Sequence, residues 1–81
     1  MPKLPRAKSP NDLSKRQRQI VQLIVRGKSY PQIAKELELS VESVRTYAKR
    51  LRDRTGKRTR LAIALWAINH KHVQKRVSHA S

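Results

Sequence analysis

A set of cationic side chains at helical spacing is the part of this sequence best suited to bind another molecule. Arg45, Lys49 and Arg52 are three or four residues apart, so at about 100° per residue they fall on one side of a helix. Thr46 and Arg50 flank them. Guanidinium and ammonium groups carry positive charge and donate hydrogen bonds, so this face needs either an anionic partner or extensive hydration.

The helix that would position these cations has clear start and stop signals. Ser40 is a good N-cap, because its hydroxyl can accept a hydrogen bond from a backbone N–H of the first turn. Gly56 is a good stop, because glycine tolerates the left-handed conformation in which many helices end. Between them, apolar residues recur at helical spacing. The stripe that we expect to face the core is Val41, Val44, Ala48 and Leu51.

The composition restricts the class of protein to which this helix can belong. The 81 residues suggest one domain with a thin core of Leu, Ile and Val, because there is no Phe and only one Trp. The formal net charge is +15, and a domain this basic usually binds a polyanion such as DNA, RNA or an anionic membrane surface. There is no apolar run long enough to span a bilayer and no secretory signal, so we expect no membrane association.

The same composition argues against catalysis and against a cofactor. The chain has no Cys, five acidic residues, no Gly-rich phosphate loop and no convergent set of His and carboxylate groups. His70 and His72 are two residues apart, and no carboxylate supports them, so we expect no metal site. We therefore expect a protein that is not an enzyme and needs no cofactor, and no small-molecule ligand is evident from the sequence.

Two further helices are predicted ahead of the basic helix. A Ser followed three residues later by Gln opens each of them, which is the capping-box pattern. The first spans residues 13–27 and the second spans residues 29–38. The residues that we expect to face the core are Ile20, Val21, Leu23, Ile24 and Val25 of the first helix and Ile33, Ala34 and Leu37 of the second. Two helices, a tight turn and a cationic second helix together indicate a helix-turn-helix that inserts into the major groove of DNA.

A fourth helix is expected from Arg60 to about His72, with Thr59 as its cap. Its apolar residues cover an arc of about 200°, whereas one buried stripe needs only about 100°. The excess predicts a second buried surface, most simply the same helix of another copy. The alternative is that these are single exposed apolar residues, which are common. The residues assigned to the dimer interface are Leu61, Leu65, Trp66 and Ile68.

Basic segments flank these helices. Residues 1–12 contain three Pro with Lys and Arg between them, and because they have little to bury we expect a flexible basic arm. We expect the folded domain to span residues 13–72 and a basic tail to span residues 73–81.

The span from Leu13 to about Asn69 resembles the LuxR/FixJ-type (GerE-like) helix-turn-helix domain. The segments that carry the resemblance are LSKRQRQIVQL, GKSYPQIAKEL and LSVESVRTY, and the last matching residues are Gly56 and Arg60. It implies an all-α, four-helix domain in which helices two and three form the helix-turn-helix, helix three reads DNA, and helix four forms the dimer contact.

The resemblance also implies roles for individual residues. Base contacts are implied for Arg45, Thr46 and Lys49. Contacts to the DNA backbone are implied for Ser29, Ser43, Arg50 and Arg60. The side-chain chemistry agrees, because Arg and Lys can bond guanine O6 and N7, and a Thr methyl can contact the thymine methyl.

The sequence departs from the family pattern at a few positions. Glu38 stands in the turn where the family usually has Gly, and a positive φ there would cost on the order of 1 kcal/mol. Thr55 and Lys57 replace the usual Leu and Val, so we expect a thinner seam between helices three and four. Family members usually carry this domain behind a receiver or ligand-binding domain. Met1 and the arm favour a free-standing regulator over a fragment of a longer protein.

These observations predict a sequence-specific regulator of transcription that binds double-stranded DNA as a homodimer on an inverted repeat. We expect it to be cytoplasmic and associated with the nucleoid. One alternative is a sequence-indifferent nucleic-acid-binding protein, although the scarcity of aromatic residues for base stacking argues against it. The other is an adaptor that docks on a different regulator through helix four.

Overall fold

The computed structural model describes the backbone of residues 5–80 and the side chains of residues 5–70. Within this range the chain forms a short 3-10 turn at Pro10–Asp12 followed by four α-helices, and no strand is present. The helices are α1 Lys15–Val25, α2 Tyr30–Leu37, α3 Val41–Thr55 and α4 Arg60–Ala80. The prediction of an all-α domain with four helices is therefore confirmed.

Reciprocal caps start α1 and α2, because each helix leaves its first backbone N–H groups without partners inside the helix. The Gln17 backbone N–H donates to Ser14 Oγ at 3.2 Å, and the Ser14 backbone N–H donates to Gln17 Oε1 at 3.0 Å. Ser29 and Gln32 make the same pair of bonds at 3.3 and 2.8 Å. Both predicted capping boxes are present.

A residue in the left-handed backbone conformation ends each of α2 and α3. Glu38 follows α2 with φ 57° and ψ 43°, and it is the one non-glycine residue with positive φ in the described part of the chain. A side chain in this region costs on the order of 1 kcal/mol, so the turn into α3 is strained as the sequence suggested. Gly56 ends α3 with φ 73°, and its N–H donates to the Arg52 carbonyl oxygen at 2.9 Å.

The core receives one face from each helix. α1 packs mainly against α4, and α2 packs mainly against α3. The largest fully buried side chains are Ile20, Ile33, Val44, Leu51 and Ile63. Thr55, which the sequence analysis placed at the seam between α3 and α4, is buried. Its hydroxyl donates to the Leu51 carbonyl oxygen at 2.7 Å. This bond satisfies the polar group that stands where an aliphatic side chain is usual.

Two apolar residues lie where the sequence analysis did not place them. Trp66, assigned to an exposed interface, is only 9% exposed and belongs to the core cluster. That cluster includes buried residues of the other three helices, so the burial of Trp66 depends on how the helices pack. Val25, expected to be buried, is 37% exposed because α1 ends at this residue.

Residues 5–12 pack on the end of α3, whereas the sequence predicted a flexible arm over residues 1–12. Ala7 is buried, and its N–H donates to the Arg54 carbonyl oxygen at 2.6 Å. The Arg54 guanidinium donates to the carbonyl oxygens of Pro5 at 3.2 Å and Asp12 at 3.0 Å. The prediction missed these contacts because the partners are more than 40 residues apart in sequence. Residues 1–4 of the arm lie outside the described residues.

The backbone of α4 extends to Ala80, beyond the expected end near His72. No Gly or Pro follows Gly56 in the sequence, so the usual residues that stop a helix are absent. Residue 81 of the predicted tail lies outside the described residues.

Candidate nucleic-acid interface

The rotation of α3 about its axis is set by its buried stripe. Val44, Ala48 and Leu51 are each 0% exposed. This stripe anchors one side of the helix in the core and leaves the other side in solvent. The residues exposed on that other side include Arg45, Thr46, Lys49 and Arg50, whereas Arg52 is half-buried. The structure therefore brings the three predicted base-reading residues together on one accessible face.

The start of α3 combines a polar cap with a positive helix end. The Ser43 backbone N–H donates to Ser40 Oγ at 3.0 Å, and the Ser40 hydroxyl donates to Ser43 Oγ at 3.0 Å. Ser43 Oγ acts as an acceptor in this bond, so its own O–H stays available to a phosphate oxygen. At about 100° per residue, Ser43 and Arg50 lie on the same side of α3, next to Thr46.

A second cluster joins the start of α2 to the start of α4. The guanidinium carbon of Arg60 lies 5.3 Å from the centroid of the Tyr30 ring. Tyr30 is the first residue of α2, and Ser29 is its N-cap. Two predicted backbone contacts, Ser29 and Arg60, therefore flank one aromatic ring. Because a helix N-terminus and a guanidinium both favour negative charge, this cluster is a suitable place for a phosphate group.

Sequence analysis missed Tyr30, whose ring restricts where the Arg60 guanidinium can lie. A cation over an aromatic face at an exposed site contributes about 0.5–1 kcal/mol. The pair joins residues on different helices, so no local spacing in the sequence signals it.

Sequence analysis also missed Glu42. Its carboxylate Oε1 lies 3.3 Å from Arg45 Nη1, and its carbonyl oxygen accepts from the Thr46 hydroxyl at 3.1 Å. The side chains of Arg45 and Glu42 are 64% and 84% exposed. A signal was available, because Glu42 precedes Arg45, Thr46 and Lys49 by three, four and seven residues, the spacing of one helical stripe.

α4 carries an exposed apolar line. Leu61, Leu65 and Ile68 are 68%, 51% and 41% exposed, and their spacing of four and three residues aligns them on one side of the helix. Trp66, the fourth residue assigned to the dimer interface, instead lies in the core, with its ring centroid 5.1 Å from that of His70. The candidate dimer face is thus narrower than the sequence suggested.

No group of three or more His, Cys, Asp or Glu side chains in the described residues could hold a metal ion. Within the same part of the chain, no helix combines the length and apolar character needed to cross a bilayer.

Comparison with known proteins agrees with this geometry. Residues 11–67 match the family model described as bacterial regulatory proteins, luxR family. The match includes α1, α2, α3 and the first part of α4. Neither the curated proteins nor the solved structures gave a significant match. Since the family match covers more than half of the 81 residues, the chain belongs to the luxR family of bacterial regulatory proteins and is a DNA-binding regulator of transcription.

Proposed function

We propose that the protein reads a specific sequence in double-stranded DNA as a homodimer, with α3 of each copy in the major groove of one half of an inverted repeat. The observation that carries this proposal is the orientation of α3. Its apolar side is buried in the core from Val44 to Leu51, while Arg45, Thr46 and Lys49 face solvent. A recognition helix contacts base edges through residues near its N-terminal end, and Arg45 is the fifth residue of α3.

The three residues have complementary chemistry for reading bases. Arg45 can donate two hydrogen bonds to guanine O6 and N7, and Lys49 can reach the same acceptors. The Thr46 hydroxyl is already bonded to the Glu42 carbonyl oxygen at 3.1 Å. Because that bond turns the oxygen toward the helix, the Thr46 methyl is left to contact a thymine methyl.

Contacts to phosphates would set the register of α3 without reading sequence. Ser29 and Arg60 support this role through their shared cluster around Tyr30. Ser43 and Arg50 support it from α3 itself, on the side next to Thr46. With a formal net charge of +15, we expect the affinity to fall steeply as salt rises, because each neutralised phosphate releases counterions.

The exposed line of Leu61, Leu65 and Ile68 supports the dimer part of the proposal. A two-fold contact through this line would bury three aliphatic side chains from each copy. Two such copies repel each other strongly because both are basic, and duplex DNA neutralises part of that charge. A dimer of this kind binds two half-sites related by a two-fold axis, which is an inverted repeat. We also propose that the protein acts in the cytoplasm, on nucleoid DNA.

The proposal is tested by selecting bound duplexes from a random DNA pool at about 150 mM salt, which screens exposed charges beyond roughly 8 Å. We expect an inverted repeat. Binding without any preferred sequence would refute specific reading and favour a sequence-indifferent nucleic-acid-binding protein.

The reading residues are tested by Arg45→Ala and Lys49→Ala on the selected site and on random duplex. We expect each to reduce discrimination between the two by about 1–3 kcal/mol. Arg26→Ala and Lys15→Ala are matched controls, since they remove the same charges from exposed positions around α1. Equal losses on specific and random DNA would show that Arg45 and Lys49 supply only charge.

A further inference from the structure

Glu42 is an exposed acidic residue at the start of the basic helix α3. It is the second residue of α3 and precedes Arg45, Thr46 and Lys49 by three, four and seven residues. At about 100° per residue, its angular position falls between those of Arg45 and Thr46. Glu42 therefore begins the same stripe that holds the proposed base-reading residues, one turn closer to the start of the helix.

Glu42 lies in the first turn of α3, where the positive end of the helix favours a carboxylate. The chain has five acidic residues against 20 Lys and Arg, and a negative side chain on a DNA-facing surface opposes binding to phosphates. The ion pair with Arg45 has a distance of 3.3 Å, but its two side chains are 64% and 84% exposed. Exposed ion pairs add little to stability. Besides stabilising the helix end, the carboxylate stands on the face that is proposed to meet base edges, where it can also discriminate between bases.

The chemistry of a carboxylate selects one base edge in the major groove. An ionised carboxylate only accepts hydrogen bonds. Cytosine presents a single donor there, its N4 amino group, whereas guanine presents two acceptors and thymine presents an acceptor and a methyl group. Adenine presents N7 as an acceptor beside its N6 donor, so a carboxylate meets a repulsive lone pair. Glu42 therefore favours cytosine and disfavours the other three bases.

The contact with Arg45 is compatible with this role. Arg45 uses Nη1 toward Glu42 Oε1, and a guanidinium has five N–H donors, so several remain for a guanine. A carboxylate can accept about four hydrogen bonds, so Glu42 keeps capacity for a base. Glu42 thus presents acceptors beside the donors of Arg45 on one stripe of α3. This arrangement suits a cytosine, which donates, next to a guanine, which accepts.

We propose that Glu42 is a fourth base-reading residue, which accepts a hydrogen bond from the N4 amino group of a cytosine next to the base read by Arg45. This inference rests on the proposed insertion of α3 into the major groove.

The test compares wild type, Glu42→Ala and Arg45→Ala by selection from a random duplex pool and by competition binding with single-base variants of the selected site. The matched control is Glu36→Ala, because Glu36 is also exposed and carries the same charge but lies on α2. Glu42 is exposed, so we expect Glu42→Ala to retain the helical circular dichroism of wild type.

We expect the wild-type site to contain a cytosine for which Glu42→Ala loses about five-fold or more of its preference. The preference affected by Arg45→Ala should lie at a neighbouring base pair. Glu42→Ala should also bind random duplex more tightly than wild type, whereas Glu36→Ala should keep the selected sequence.

The outcomes separate failure of this inference from failure of the proposed function. If wild type selects an inverted repeat and Glu42→Ala selects the same sequence with the same preferences, Glu42 does not read a base. If Glu42→Ala and Arg45→Ala lose preference at the same base pair only, Glu42 acts by orienting Arg45, and the cytosine contact is refuted. If wild type selects no sequence at all, the proposed function itself fails.

Discussion

Truncation of Leu65 measures how much the exposed line on α4 contributes to self-association. Leu65 is 51% exposed in the single chain, so a dimer contact can bury about half of its side chain. Full burial of a leucine contributes about 1.5–3 kcal/mol, and half of that is about 1 kcal/mol for each copy. A two-fold interface uses the residue twice, so Leu65→Ala should weaken the dimer by about 2 kcal/mol. This corresponds to a dissociation constant roughly 30-fold higher.

Sedimentation equilibrium at several protein concentrations gives that constant directly. Val41→Ala is the control, because Val41 is also a partly exposed aliphatic residue but lies at the start of α3. Chemical denaturation at low protein concentration should show that Leu65→Ala unfolds within about 0.5 kcal/mol of wild type, as expected for a surface substitution. An unchanged dimer constant for Leu65→Ala, or an equal loss for Val41→Ala, would refute the assignment of the α4 line as the interface.

Two further substitutions test the burial of Trp66 in the core and the backbone strain in the turn between α2 and α3. Trp66→Ala should destabilise the folded chain by about 3–5 kcal/mol, because it removes a large ring from the core. Urea unfolding measures this change, and a loss below about 1 kcal/mol would show that the ring is not packed as described. Glu38→Gly should stabilise the chain by about 1 kcal/mol, because glycine adopts φ 57° without a steric penalty. A higher urea midpoint at unchanged slope is the expected result, and a lower midpoint would contradict strain at this turn.

Much of the helical organisation follows from local sequence. A capping box links residues three apart, and an amphipathic stripe links residues three, four and seven apart. Such spacings predicted the starts of α1 and α2 and the buried side of α3, and therefore the exposure of Arg45, Thr46 and Lys49. The same spacing also places Glu42 on that face. A pattern of cations does not point to a carboxylate, so Glu42 did not stand out in the sequence.

Tertiary structure decided the features that join distant parts of the chain. A helical wheel cannot show that the Trp66 ring lies in the core, because its burial depends on the space left by other helices. The Arg60 guanidinium lies over the ring of Tyr30, which belongs to a different helix. Ala7 is buried, and its N–H donates to the Arg54 carbonyl oxygen at the end of α3. Local pattern thus determined which helices form and which side of α3 is exposed, because those properties depend on neighbours within two turns. Contacts between elements decided the width of the α4 face and the position of residues 5–12, because those properties depend on how the helices pack.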